Sequence, residues 1–195
     1  MAAVTFYIPC LFGLEGLVGD ELRRLKLKDV RVENGHVLCR GGMDDLARLN
    51  LNLRCGERVL VLLGTFPATS FDALFEQTRA LPWEDWIDAQ GAFPVKGYSL
   101  DSQLHSVPDC QKIVKKAIAT RLGAKYGAEH LPETGAVHQV QFALMHDQAA
   151  LLLDPSGAGL HKRGYRAVGV AAPLRETLAA AMVLLSRYRG KDPFC

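Results

Sequence analysis

An α+β fold is predicted for this 195-residue chain by three observations. Over the first third of the sequence, hydrophobic periodicity alternates between strand and helix spacing in the order β-α-β-β-α-β, the ferredoxin-like arrangement. Asn34-Gly35, set between two short alternating runs, is a strong two-residue hairpin signal. A second unit then mixes helices and strands in a different order and closes on two apolar runs separated by His146-Asp147-Gln148.

Element by element, Thr5–Pro9 is a short apolar run and reads as a strand. Leu14, Leu17, Val18, Leu22 and Leu25 recur at helical spacing. Val30–Glu33 and His36–Arg40 are the hairpin strands. After the break at Gly41-Gly42, Met43, Leu46, Leu49 and Leu53 mark a second helix. Arg58–Phe66, with Val59-Leu60-Val61-Leu62-Leu63 inside it, is a buried strand. The second unit starts near Pro67, where Thr69 or Ser70 can cap a helix over Phe71, Leu74 and Phe75. Pro82–Ile87 is a short helical turn anchored by Trp83 and Trp86, and Phe93–Leu100 is a strand. Ser106-Val107-Pro108-Asp109 resembles a capping box with Asp in place of Glu. It opens a helix striped by Ile113, Val114, Ala117, Ile118 and Leu122, with Gly123 or Gly127 as its end. Val137–Leu144 alternates, with Val140, Phe142 and Leu144 on one face; Ala149–Leu153 is apolar throughout, and Asp154-Pro155-Ser156-Gly157 closes it. Pro173 suits a first helical turn, where its missing N–H costs nothing. Leu174, Leu178, Ala181, Met182 and Leu185 then form a last stripe that needs a covering partner, and Gly190 marks its end.

Bulk properties narrow the class. The length suits one large domain or two small ones. A hydrophobic content of 49% and a charged content of 23% are ordinary for a globular protein. No apolar run reaches the length of a membrane-spanning helix, and the N-terminus lacks the pattern of a signal peptide. The five cysteines (Cys10, Cys39, Cys55, Cys110 and Cys195) are scattered with no Cys-x-x-Cys, which favours free thiols in a reducing cytoplasm. The net charge of +2 is uneven: from Ser156 onward there are seven basic residues against two acidic. Residues 96–125 hold six basic against two acidic, while residues 72–88 are acidic. Localised positive charge is what a phosphate footprint requires, although a solvated mixed surface gives the same pattern.

Two groups of residues could carry chemistry. Lys112, Lys115 and Lys116 lie together on the helix from Pro108 to Leu122, away from its apolar stripe, where they could follow an RNA backbone. Arg121 falls nearer the stripe and suits the helix C-terminus. Leu160-His161-Lys162-Arg163-Gly164-Tyr165-Arg166 interleaves cations with one aromatic, as phosphate contact with base stacking requires. If extended, it puts His161, Arg163 and Tyr165 on one side and leaves Lys162 and Arg166 on others. The alternative is that Tyr165 packs inward and the cations merely surround it. No His-x-x-x-His, phosphate-binding Gly-rich loop or dinucleotide fingerprint appears, so neither a metal site nor a catalytic cluster is expected from the motifs.

The 160–166 segment, followed by Ala172-Pro173-Leu174-Arg175-Glu176-Thr177, resembles the junction between RNA-binding region and catalytic domain in THUMP-containing RNA methyltransferases. Leu153-Asp154-Pro155-Ser156-Gly157 and Cys110–Ile118 are also similar to that family, most closely to bacterial large-subunit rRNA guanine-N2 methyltransferases. The resemblance covers essentially the whole chain. It implies a ferredoxin-like domain over 1–66, a THUMP RNA-binding domain over 67–159, and a linker with the first helix of a truncated Rossmann-like methyltransferase domain over 160–195. It further implies RNA, first of all large-subunit rRNA, as partner and S-adenosylmethionine as cofactor. Lys112, Lys115, Lys116, His161, Lys162, Arg163, Tyr165 and Arg166 become candidate RNA contacts, and Pro173 and Thr177 candidate cofactor contacts. The family's cofactor loop is absent, with Asp192-Pro193-Phe194-Cys195 either its first four residues or the strand just before a second Asp-Pro, and its Asn-Pro-Pro-Tyr-type motif is absent too. No catalytic residue is therefore carried over, and the chain alone is expected to be inactive. A tRNA substrate, or a protein-interaction module without catalysis, are the alternative readings.

Overall fold

A computed structural model describes residues 3–165, 172–188 and 190. The chain divides into two compact units, one drawn from Met1–Leu60 with Ser156–Cys195 and the other from Val61–Pro155. The segment after Ser156 is thus grouped with the N-terminal unit.

In the first unit, β1 (Val4–Pro9), β2 (Lys28–Glu33) and β3 (His36–Gly41) lie in the antiparallel order β2-β3-β1. Asn34-Gly35 forms the tight connection, with Gly35 at φ +75°, where a side chain is disfavoured. Helices α1 (Glu15–Arg24) and α2 (Met43–Asn52) pack against these strands. Val18, Leu22 and Leu49 are buried with Phe6, Ile8, Val37 and Cys39. Helix α1 has no side-chain cap at Leu14. Instead, the Glu15 carboxylate accepts the N–H groups of Gly13 and Gly35, each at 2.9 Å, joining the helix start to the hairpin. Those donors, the Gly35 N–H foremost, favour the ionised form and hold Glu15 below the ordinary carboxylate range.

β4 (Leu60–Pro67) completes the β-α-β-β-α-β order, but from Val61 it is grouped with the second unit, where it pairs antiparallel with β7 (Gln148–Asp154). The other strands there are β5 (Val95–Leu100) and β6 (Gln139–Met145), in the order β4-β7-β6-β5. β5 runs parallel to β6, and β6 antiparallel to β7. The expected burial of Val140, Phe142 and Leu144 is found, and the apolar β7 is buried along most of its length. His146 and Asp147, both at positive φ, turn the β6–β7 hairpin. Helix α3 (Phe71–Ala80) is capped by Ser70, whose hydroxyl accepts the Ala73 N–H at 3.2 Å. It packs along α4 (Val107–Tyr126), which ends at Gly127 with φ +64°. The expected capping box reduces to a side-chain pair: the Ser106 hydroxyl donates to Asp109 at 2.6 Å and caps no helical N–H.

Helix α5 spans Glu176–Leu185. Pro173 therefore lies ahead of the helix and not in its first turn, because Arg175 still has extended backbone (φ −64°, ψ 140°). The buried face is made by Thr177 and Ala181, whereas Leu174, Met182 and Leu185 of the expected stripe are exposed.

Candidate nucleic-acid interface

The lysines of α4 do not form one free basic face. Lys112 and Lys116 are exposed, with the Lys112 ammonium 3.4 Å from the Asp109 carboxylate beside it. Lys115 is committed to structure. Its ammonium sits 2.5 Å from Glu133, donates to the Phe93 carbonyl at 3.1 Å and lies 3.8 Å from the centre of the Phe93 ring. Arg121, expected to serve the helix C-terminus, is instead forked onto Glu84 of the short turn Trp83–Asp85, at 2.6 and 3.0 Å. Its guanidinium holds the Glu84 carboxyl down at about 2. A residue missed in the sequence joins the exposed cations: Arg79 of α3, paired at 2.5 Å with Glu76 one turn before it, and Lys116 of α4 lie 5.7 and 5.8 Å from the Phe75 ring centre. Arg79 stands in an acidic stretch, and only the packing of α3 on α4 brings it to Lys116.

In the first unit, the chain after Ser156 is fastened to the end of α2 and the residues that follow it. The Ser156 hydroxyl accepts the Val59 N–H at 3.1 Å and donates to the Val59 carbonyl at 2.9 Å, and Arg58 donates to the Gly157 carbonyl at 2.6 Å. Glu57 is the centre of this arrangement. Its backbone carbonyl accepts the Leu160 N–H at 2.9 Å. Its carboxylate lies 3.4 Å from His161 Nδ1, 3.7 Å from the Arg175 guanidinium and 2.9 Å from the Thr177 hydroxyl, which donates to it. No sequence signal marks Glu57, since its partners lie more than a hundred residues away.

Over the described residues 160–165 the extended arrangement considered from the sequence is not what is found. The chain bends at Gly164, which has φ +75°. His161 turns toward Glu57, and Arg163 donates to the Leu51 carbonyl at 3.1 Å and to the Leu53 carbonyl. Arg163 thereby meets the carbonyl-rich end of α2, where a cation is favoured. Lys162 and Tyr165 face solvent, Tyr165 with 75% of its surface exposed. Arg166 lies outside the described residues, as do Asp192–Cys195. Thr177 is 1% exposed and its hydroxyl is spent on Glu57, while Pro173 is exposed. These two residues alone form no cradle for a cofactor.

Reactive groups are scarce among the described residues. Burial pushes the thiols of Cys10, Cys39 and Cys55 up to about 12, well away from nucleophilic thiolates. No three metal-ligating side chains converge among the described residues. No helix among them is long and apolar enough to cross a membrane.

Comparison with known proteins identifies both units. The family model of the RlmL ferredoxin-like domain matches residues 5–60, and that of the THUMP domain matches residues 68–154. The chain is 44% identical to "Putative RNA methyltransferase YpsC" of Bacillus subtilis, over all of this chain and 52% of that protein. It is 33% identical to the ribosomal RNA large subunit methyltransferase K/L of Syntrophotalea carbinolica, over all of this chain and 28% of that protein. Among solved structures, SMU.472, described as "a putative methyltransferase complexed with SAH", superposes with a TM-score of 0.91 at 39% identity, over all of this chain and 52% of that one. The chain thus spans about half the length of YpsC and less of the K/L enzyme.

Proposed function

With a ferredoxin-like domain of the RlmL type followed by a THUMP domain, the chain belongs to the THUMP-containing RNA methyltransferase family, and on that premise we propose that it is the RNA-recognition portion of an S-adenosylmethionine-dependent RNA methyltransferase. The observation that carries this reading is the likeness of the whole chain to part of a putative RNA methyltransferase and of an rRNA methyltransferase, each much longer than it. The favoured acceptor is the N2 amine of a guanine in large-subunit rRNA, with the K/L relative as support for the rRNA and the sequence resemblance as support for the guanine. The working division is 1–66 ferredoxin-like, 67–159 THUMP, and 160–195 linker with the start of the catalytic domain. The cellular setting that suits such an enzyme is the cytoplasm.

In this reading, Lys112, Lys116, Lys162 and Arg166 supply phosphate contacts, and Tyr165 supplies a base contact. Arg79 adds to the phosphate contacts. Lys115, His161 and Arg163 act by holding α4 and the 160–165 segment in place. S-adenosylmethionine, when bound, supplies the methyl group. Most of its contacts belong to residues beyond this chain, Pro173 stands at the exposed entrance to α5, and Thr177 contributes by fixing the first turn of α5 on Glu57. Recognition serves catalysis here through orientation: a guanine inside a duplex must be unstacked at a cost of roughly a few kcal/mol, which RNA contacts made elsewhere can offset.

The test is binding of this chain to large-subunit rRNA fragments and to tRNA under matched salt. Preference for rRNA supports the assignment, preference for tRNA moves the substrate class, and indifference to both removes RNA recognition from this half of the protein.

A further inference from the structure

Within the first unit, a groove of about 500 Å³ runs between the end of α2 and the first turns of α5. Its floor is made by Ala179 and Ala180, two small side chains that leave α5 low at this point. Leu51 and Tyr165 line it as well, and both are largely exposed (76% and 75%) although they are large apolar or aromatic side chains. Two cations, Arg54 and Arg163, and one carboxylate, Glu176 of α5, are also in the lining, and the two arginines differ in role. Arg163 is fixed by its hydrogen bonds to the Leu51 and Leu53 carbonyls, so it holds the Tyr165 segment against α2. The Arg54 side chain is exposed, and the hydrogen bonds at this residue come from its backbone N–H to Glu21.

We propose that this groove is a subsite for one unstacked nucleotide of a bound RNA, its base placed against Tyr165 and Leu51 over the alanine floor and its phosphate met by Arg54. The inference rests on the RNA-recognition reading above and adds a location to it. Three features favour a nucleotide as occupant. A half-open groove with small residues in its lining accepts a planar ring, and an exposed Tyr beside it offers a stacking face. A guanidinium at the same slot can fork onto a phosphate. Arg163 also anchors the chain two residues before the aromatic, which reduces what must be ordered on binding. The rest of the recognition surface, on α3 and α4, offers cations whose nearby ring, Phe75, is already covered by Arg79 and Lys116. That surface suits backbone contact, and the α2–α5 groove suits a base.

The experiment uses the full 195-residue chain and a single-stranded RNA carrying one 2-aminopurine. Total binding is read by anisotropy of an end label and base capture by 2-aminopurine quenching. Expected for the chain as it stands is binding accompanied by quenching. Tyr165→Ala should lose the quenching and weaken binding about tenfold, in line with the loss of one stacked base. Tyr165→Phe should keep both, and Ala180→Leu, which raises the floor, should abolish quenching with Tyr165 intact. Lys112→Ala with Lys116→Ala should weaken binding yet leave quenching at saturation unchanged. Unaltered affinity and quenching in Tyr165→Ala and Ala180→Leu, with RNA still bound, overturns the subsite and leaves the RNA-recognition reading standing. Absence of RNA binding by the parent chain overturns both.

Discussion

The fork between Arg121 and Glu84 tethers α4, the helix that carries Lys112 and Lys116, to the turn at Trp83–Asp85. Replacing Glu84 by Gln removes the charge and keeps the shape. The carboxyl stands at about 2 in the folded protein against an ordinary 4.5. At about 1.4 kcal/mol per pH unit, that gap sets an upper limit of roughly 3 kcal/mol. The Arg121 side chain is 35% exposed and the Glu84 side chain 13%, so solvent screens the pair. A contribution of about 1–2 kcal/mol is the expected value for a forked, partly exposed ion pair. A depressed carboxyl contributes fully above its unfolded pKa and loses that contribution as pH falls through the folded one. The pair should therefore stabilise the protein in full at pH 6, and its contribution should shrink from about pH 4.5 downward and be largely gone near pH 2. Urea unfolding of parent and Glu84→Gln chains at pH 6 and near pH 2 measures this directly. Titration of other carboxyls, such as Glu15 and Asp147, is common to both proteins and cancels in the difference. A difference of about 1–2 kcal/mol at pH 6 that vanishes near pH 2 is expected. The same difference at both pH values would refute the assignment of the stabilisation to the charged pair.

Two further outcomes test other parts of the structure. A Cβ at Gly97 on β5 would overlap the carbonyl oxygen of Phe142 on the paired strand β6, so Gly97→Ala should destabilise by roughly 1–3 kcal/mol in denaturant unfolding, as overpacking does. Thr177→Val leaves Glu57 without its hydroxyl donor, which should cost about 1 kcal/mol and raise hydrogen exchange in the first turn of α5 while leaving β5–β7 unchanged.

Elements whose stabilisation is local were legible in the sequence. Asn34-Gly35 specified its hairpin, Ser70 its cap and Gly127 the end of α4, because each acts on its own neighbours in the chain. The alternation of Val140, Phe142 and Leu144 likewise gave the buried face of β6. The site was less legible because its geometry depends on distant partners. Lys115 looks like its neighbours Lys112 and Lys116 until Glu133 and Phe93, 18 and 22 residues away on either side of it in the chain, are folded against it. His161 and Arg163 look like a cationic patch until Glu57 and the α2 carbonyls take them up. Pro173 suited a first helical turn, but helix capping allows a start several residues later, and tertiary contact at Thr177 fixes the start of α5 at Glu176. Glu57 and Arg79 carried no signal at all, since neither belongs to a motif and both gain meaning only from packing.

The claim that this chain recognises RNA through discrete phosphate contacts is tested most directly by the salt dependence of its affinity for a large-subunit rRNA fragment. A linear fall of log affinity with log salt is predicted. The slope should flatten by about 0.7–0.9 for each of Lys112, Lys116 and Lys162 changed to Ala, and not for Lys115→Ala. A slope near zero, or one that Lys115→Ala reduces as much as the exposed lysines do, would contradict the account.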